Sequence, residues 1–96
     1  MNVTLRPEAE DDLEDAALWY EGHRRGLGEQ FLDEILRAIG LIEENPQSYP
    51  QIHGEIYRAV IRRFPFGIFY LLEEETVVVL AIIHASRDPI SWKNRS

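Results

Sequence analysis

Apolar residues along this chain follow two rhythms, and the change comes near residue 55. Ala9, Leu13, Ala16, Ala17 and Tyr20 recur at helical spacing and give a narrow apolar stripe with an acidic back. Pro7 sits where its missing N–H costs nothing, at the first helical position, and Glu8, Glu10, Asp11 and Asp12 follow at the positive end of the helix dipole. Gly26-Leu27-Gly28 breaks this first helix. A second helix begins near Leu27 and carries Phe31, Leu32, Ile35, Leu36, Ile39 and Ile42 on a wide face. It ends by Asn45, because Pro46 disfavours helical geometry in the residue before it. Two helices with so short a break predict an antiparallel helical hairpin.

Asn45 to Gly54 reads as a loop by its Pro and Gly content. Beyond it Ile56, Arg58, Val60 and Arg62 alternate with Tyr57, Ala59, Ile61 and Arg63, which is strand spacing. Pro65 and Gly67 mark a turn before a second strand at Ile68 to Leu72. Glu73-Glu74-Glu75 is a polar turn, and Val77 to His84 forms a third strand, apolar on both faces and therefore central. Asn2 to Leu5 is a short strand candidate at the other end. Asp88-Pro89 predicts a cap and one helical turn toward Trp92. The expected architecture is α+β, in the order β-α-α-β-β-β: a small antiparallel-type sheet with the helical hairpin packed on one face. Two helices cover one face only, so the two-sided strand calls for a further cover, either the C-terminal segment or another protein.

Ninety-six residues make one domain spanning 1–96, and there is no repeat, linker or low-complexity tract. The absence of cysteine removes disulfides, thiolate metal sites and thiol nucleophiles, and fits a reducing, cytoplasmic compartment. No apolar run approaches the length of a membrane span, and the first residues lack a signal core, so neither membrane nor secretion is expected. The net charge is −7, but it is unevenly shared: residues 1–50 carry −8 and residues 51–96 carry +1. Such a chain does not coat nucleic acid by charge alone. It still leaves room for a local basic site in the second half.

That half holds Arg58, Arg62, Arg63 and Arg87, with His84 at the end of the third strand. Arginine forms bidentate pairs with phosphate and carboxylate, and an imidazole exchanges protons near neutral pH. The four arginines are therefore candidates for binding an anionic group or partner. The plain alternative is that they only pair with the acidic helices and that His84 caps a strand end. His23 and His53 stand alone, no spacing suits a metal, and no Gly-rich phosphate loop or serine elbow is present, so no metal or cofactor is expected. The aromatic pairs Trp19-Tyr20 and Phe64-Pro65-Phe66 read as core and turn residues.

An ordered set of residues, running nearly end to end, resembles one family. It comprises the Ala9–Leu13–Tyr20 pattern, Phe31…Ile35…Ile39…Asn45-Pro46, Tyr57-Arg58 and Arg63-Phe64-Pro65-Phe66-Gly67-Ile68-Phe69-Tyr70. It closes with Val79-Leu80-Ala81-Ile82-Ile83-His84-Ala85-Ser86-Arg87-Asp88-Pro89 and Trp92. In these residues the chain resembles the RelE/ParE superfamily, toxins of bacterial type II toxin–antitoxin modules often labelled plasmid stabilisation proteins. The resemblance implies a small sheet carrying a helical hairpin, growth arrest by the toxin, and neutralisation by an antitoxin encoded beside it. It also implies one of two targets. ParE-like members poison DNA gyrase and need no catalytic constellation; RelE-like members cut messenger RNA in the ribosome. A metal-independent endoribonuclease here would draw on His84, Arg58 and Arg87. The single lysine, Lys93, the acidic charge and the lack of a tyrosine near Arg87 depart from the RelE pattern and weigh toward the ParE-like branch.

Overall fold

The computed structural model describes residues 2–86 and Arg95. Within it the chain runs β1 (Asn2–Leu5), α1 (Pro7–His23), α2 (Leu27–Glu44), a 3-10 turn (Pro46–Ser48), β2 (Gln51–His53), β3 (Ile56–Ile61), β4 (Phe66–Glu73) and β5 (Thr76–His84). The expected α+β order is present, with one strand more than predicted. The segment read as a loop, 45–54, contains the 3-10 turn and β2, whose three residues are too few to leave a periodic trace. The expected turn at Asp88-Pro89, like Arg87, lies outside the described residues.

The five strands form one sheet in the order β1-β5-β4-β3-β2. It is mixed rather than antiparallel throughout, because β1 pairs parallel to β5, with Asn2 opposite Thr76 and Leu5 opposite Val79. The helical hairpin lies between these strands in the chain and supplies the long connection that parallel pairing demands. β5 is interior, as its apolar character predicted. The β4–β5 turn places Glu74 at φ 56°, the left-handed conformation tight hairpins demand.

The hairpin of helices is joined through one carboxylate. Glu21, near the end of α1, accepts hydrogen bonds from the backbone N–H of Gly26 (3.1 and 3.0 Å to its two oxygens) and of Gly28 (3.0 Å). It thereby satisfies donors of the first turn of α2, which no side chain of α2 caps, and places negative charge at the positive end of the dipole. Gly26 takes φ 85° to turn the chain. Gly28 is needed for closeness: a Cβ there would lie 2.5 Å from the Ala17 carbonyl oxygen.

Phe31, Ile35, Ile39 and Ile42 of α2 are buried against the sheet's inner face, where they meet Ala59, Ile61, Phe66, Ile68, Tyr70, Val77, Val79 and Ile82. Tyr20, Phe31, Phe64 and Phe66 gather at one end of this core, with ring centroids 4.9 to 6.1 Å apart. The Tyr70 hydroxyl donates to the Pro46 carbonyl at 2.6 Å, and the Tyr57 ring stacks on Tyr70 at 5.2 Å. The outer face carries a second cluster of Ile56, Phe69, Val78, Leu80, Ala81 and Ile83, with Ile52 and Leu71 packed on it. These side chains are buried within the single chain, so the expectation that the face needs another protein to cover it is not required.

The register explains how both clusters share β5. Phe69 lies opposite Ala81 and Tyr70 opposite Val79, which leaves Leu80 unpaired in a bulge. Val77 and Val79 face the helices; past the bulge that role passes to Ile82, while Leu80 and Ala81 both turn outward.

Candidate functional site

The bulge decides where His84 points. Strict alternation from Val77 and Val79 would set His84 on the outer face; the extra residue brings it to the helix side, opposite Phe66. Its ring meets Phe66 edge-on at 5.3 Å, in a groove of about 430 Å³ that Asp12, Asp15, Trp19 and Tyr20 also line. The Ser86 backbone N–H donates to His84 Nδ1 at 3.1 Å, and the Ser86 hydroxyl lies 2.7 Å from the same nitrogen. An Nδ1 that accepts from a backbone amide assigns the neutral ring's proton to Nε2. The nitrogen facing away from Ser86 is then a donor.

Arg58 stands on the other side of the sheet. It lies opposite Phe69, a member of the outer-face cluster, and is exposed. The structure thus does not bring Arg58 and His84 together: the sheet separates them. Arg62 and Arg63 occupy the β3–β4 turn and are exposed. Arg63 donates to the Gln30 side chain of α2, and its guanidinium carbon lies 5.3 Å from the Phe64 ring centroid, a cation–π approach. Ile61, Phe66 and His84 pair in a row across three strands, so His84 shares an end of the sheet with Arg62 and Arg63, though not with Arg58. The contacts of Tyr20 with Phe64 and of Arg63 with Gln30 bring the α1–α2 turn to the same end. Arg24 and Arg25 of that turn join Arg62 and Arg63 in a basic pole on an acidic molecule.

Two residues that sequence reasoning passed over hold the open flank of β5. β1 stops pairing at Leu5, with the Arg6 N–H reaching the Val79 carbonyl at 3.0 Å, so β5 beyond Val79 lacks a strand on that side. Asp12 fills the gap. Its Oδ2 accepts from the Ile82 N–H at 3.0 Å, while Arg95 binds both its oxygens at 2.5 and 3.3 Å and donates to the Leu80 carbonyl at 3.2 Å. Arg6 in turn donates to the Arg95 carbonyl at 2.6 Å. The bond to Asp12 pushes the Arg95 guanidinium above its ordinary pKa. In the sequence Asp12 is one of several acids opening a helix, and a pair 83 residues apart leaves no periodic signal.

A larger groove of about 810 Å³ runs between β1 and the helical hairpin. Leu13, Ala17, Leu18 and Leu32 line it with Glu10, Glu14, Glu21 and Glu29. Leu18 is 65% exposed. Among the described residues no group of three His, Asp or Glu side chains could hold a metal ion, and no helix is long and apolar enough to cross a membrane.

A family model described as the ParE toxin of the type II toxin–antitoxin system, parDE, matches residues 3–89. The chain belongs to this family. As a ParE-family toxin it has structural relatives of the same fold. The chromosomal ParDE toxin–antitoxin system from P. aeruginosa contains a chain similar to it at 16% identity and a TM-score of 0.72, with 88% of this chain and 95% of that one covered. The intact E. coli RelBE toxin–antitoxin complex contains another at 13% identity and a TM-score of 0.64, covering 90% and 98%. Both likenesses are of fold. A search of curated protein sequences gave no match. The ParE family assignment and the α+β hairpin-on-sheet fold agree with the resemblance drawn from the sequence.

Proposed function

We propose that this ParE-family chain is a cytoplasmic toxin that arrests growth by inhibiting DNA gyrase and is neutralised by a cognate antitoxin encoded beside it. What supports gyrase over messenger RNA is the placement of the candidate groups. Cleavage of a phosphodiester needs a proton acceptor and a cation within reach of the same phosphate. Here the sheet stands between His84 and Arg58, and the outward nitrogen of the neutral His84 ring carries a proton. Inhibition by binding asks for no such constellation. Arg58, Arg62, Arg63 and Arg87 then serve as contacts to acidic groups on the antitoxin or target rather than as parts of an active site.

The test pairs two assays on one protein. Gyrase supercoiling is measured with the purified toxin, and primer extension on translated messenger RNA is run beside it. Gyrase inhibition relieved by the antitoxin, with intact message, is the expected result. His84→Gln keeps size and hydrogen bonding but cannot exchange a proton near neutral pH, and it is expected to retain growth arrest with an unchanged melting temperature. Ribosome-dependent cleavage by the wild type, lost in a well-folded His84→Gln variant, overturns the proposal in favour of an endoribonuclease.

A further inference from the structure

β3 has an unfinished edge. β2 flanks it only at Ile56 and Tyr57, and the last bond on that side joins the Arg58 N–H to the Pro50 carbonyl at 3.0 Å. In an antiparallel sheet alternate residues turn their N–H and C=O to the same side, so Val60 faces outward as Arg58 does. No strand lies beyond it. The Val60 side chain is 62% exposed, on the outer face it shares with Arg58, and Arg62 follows at the strand end. Among the described residues neither arginine makes an ion pair, in a chain whose net charge is −7.

Open edges invite strand addition, and charge chooses the visitor. A second copy is a poor one. Antiparallel pairing of β3 with itself about Val60 would set each Arg58 opposite the other copy's Arg62, and like charges directly opposite repel. An acidic strand meets the reverse situation. We infer that this edge takes up an extended segment of the antitoxin, antiparallel to β3, with carboxylates opposite Arg58 and Arg62 and an apolar residue opposite Val60. The segment's pattern is acidic, any, apolar, any, acidic. This rests on the reading of the chain as a toxin held by an antitoxin.

The experiment uses the full toxin with the protein encoded by the adjacent gene. Val60→Pro removes the outward N–H without touching the bonds to β4, since proline is tolerated where an edge strand's N–H faces solvent. Affinity is expected to fall tenfold or more at an unchanged melting temperature. Amide hydrogen exchange on the wild-type complex reads the same bond without mutation: Val60 should become protected on binding. Arg58→Glu with Arg62→Glu should weaken the complex, and exchanging the segment's two acids for lysine should restore it. A complex that leaves Val60 unprotected and Val60→Pro at full affinity overturns the inference but leaves the toxin–antitoxin reading intact. Self-association abolished by Val60→Pro makes a second copy the occupant and overturns it too. If no complex forms, the reading itself fails and the inference falls with it.

Discussion

Tyr70 shows how much one hydroxyl can carry. It is fully buried, and its single proton satisfies the carbonyl that ends α2's exit turn at Pro46. Tyr70→Phe leaves that carbonyl short of a partner and is expected to destabilise the fold by about 1–3 kcal/mol, measured by urea unfolding. Burial, with Tyr49 and Tyr57 nearby, pushes the Tyr70 pKa well above the ordinary phenol value, and burial raises Tyr20 as well. In the unfolded chain both phenols ionise near the ordinary value of about 10. Above that pH the unfolded state binds fewer protons than the folded one, so stability falls as pH rises. The contribution is complete below about pH 10 and is lost above it. Unfolding midpoints taken through the alkaline range should decline, and Tyr70→Phe should flatten that decline while Tyr20 keeps part of it. A wild-type midpoint indifferent to alkali would contradict this account.

At the scale of elements, the helices and the three long strands follow from periodicity because each buries one face repeatedly. The single-residue devices do not repeat and stayed hidden. β2 is too short to alternate, and the Leu80 bulge leaves an unbroken apolar run in the sequence. That bulge is also why the candidate site was read as one patch: counting by twos puts His84 beside Arg58, and one extra residue sends them to opposite faces. Two close approaches can be tested directly. Gly28→Ala drives a methyl group into the Ala17 carbonyl, so α1 and α2 must part, and a loss of about 1–3 kcal/mol is expected in thermal or denaturant unfolding. Asp12→Ala strips the Ile82 amide and Arg95 of their shared partner, with an expected cost of about 1–3 kcal/mol. Asp12→Asn keeps an acceptor for Ile82 and should cost less. Faster amide exchange at Ile82 in Asp12→Ala, with β4 amides unaffected, would locate the damage on the open flank of β5.

For the whole molecule, the basic pole has a kinetic consequence. A body of net charge −7 is pushed away from any polyanion at long range, yet Arg24, Arg25, Arg62 and Arg63 gather at one end of it. The separated charges act as a dipole, and an external field turns the molecule before contact. Only approaches with the arginine end leading escape the repulsion, so encounter is filtered by orientation. Added salt then acts twice, relieving the net repulsion and slackening the torque that aligns the pole. Association with a negatively charged target should therefore vary with ionic strength less steeply than the net charge alone dictates, and Arg62→Glu should restore the steeper dependence. The leading end is also where the free stretch of β3 finishes, so the molecule arrives with its unfilled edge forward.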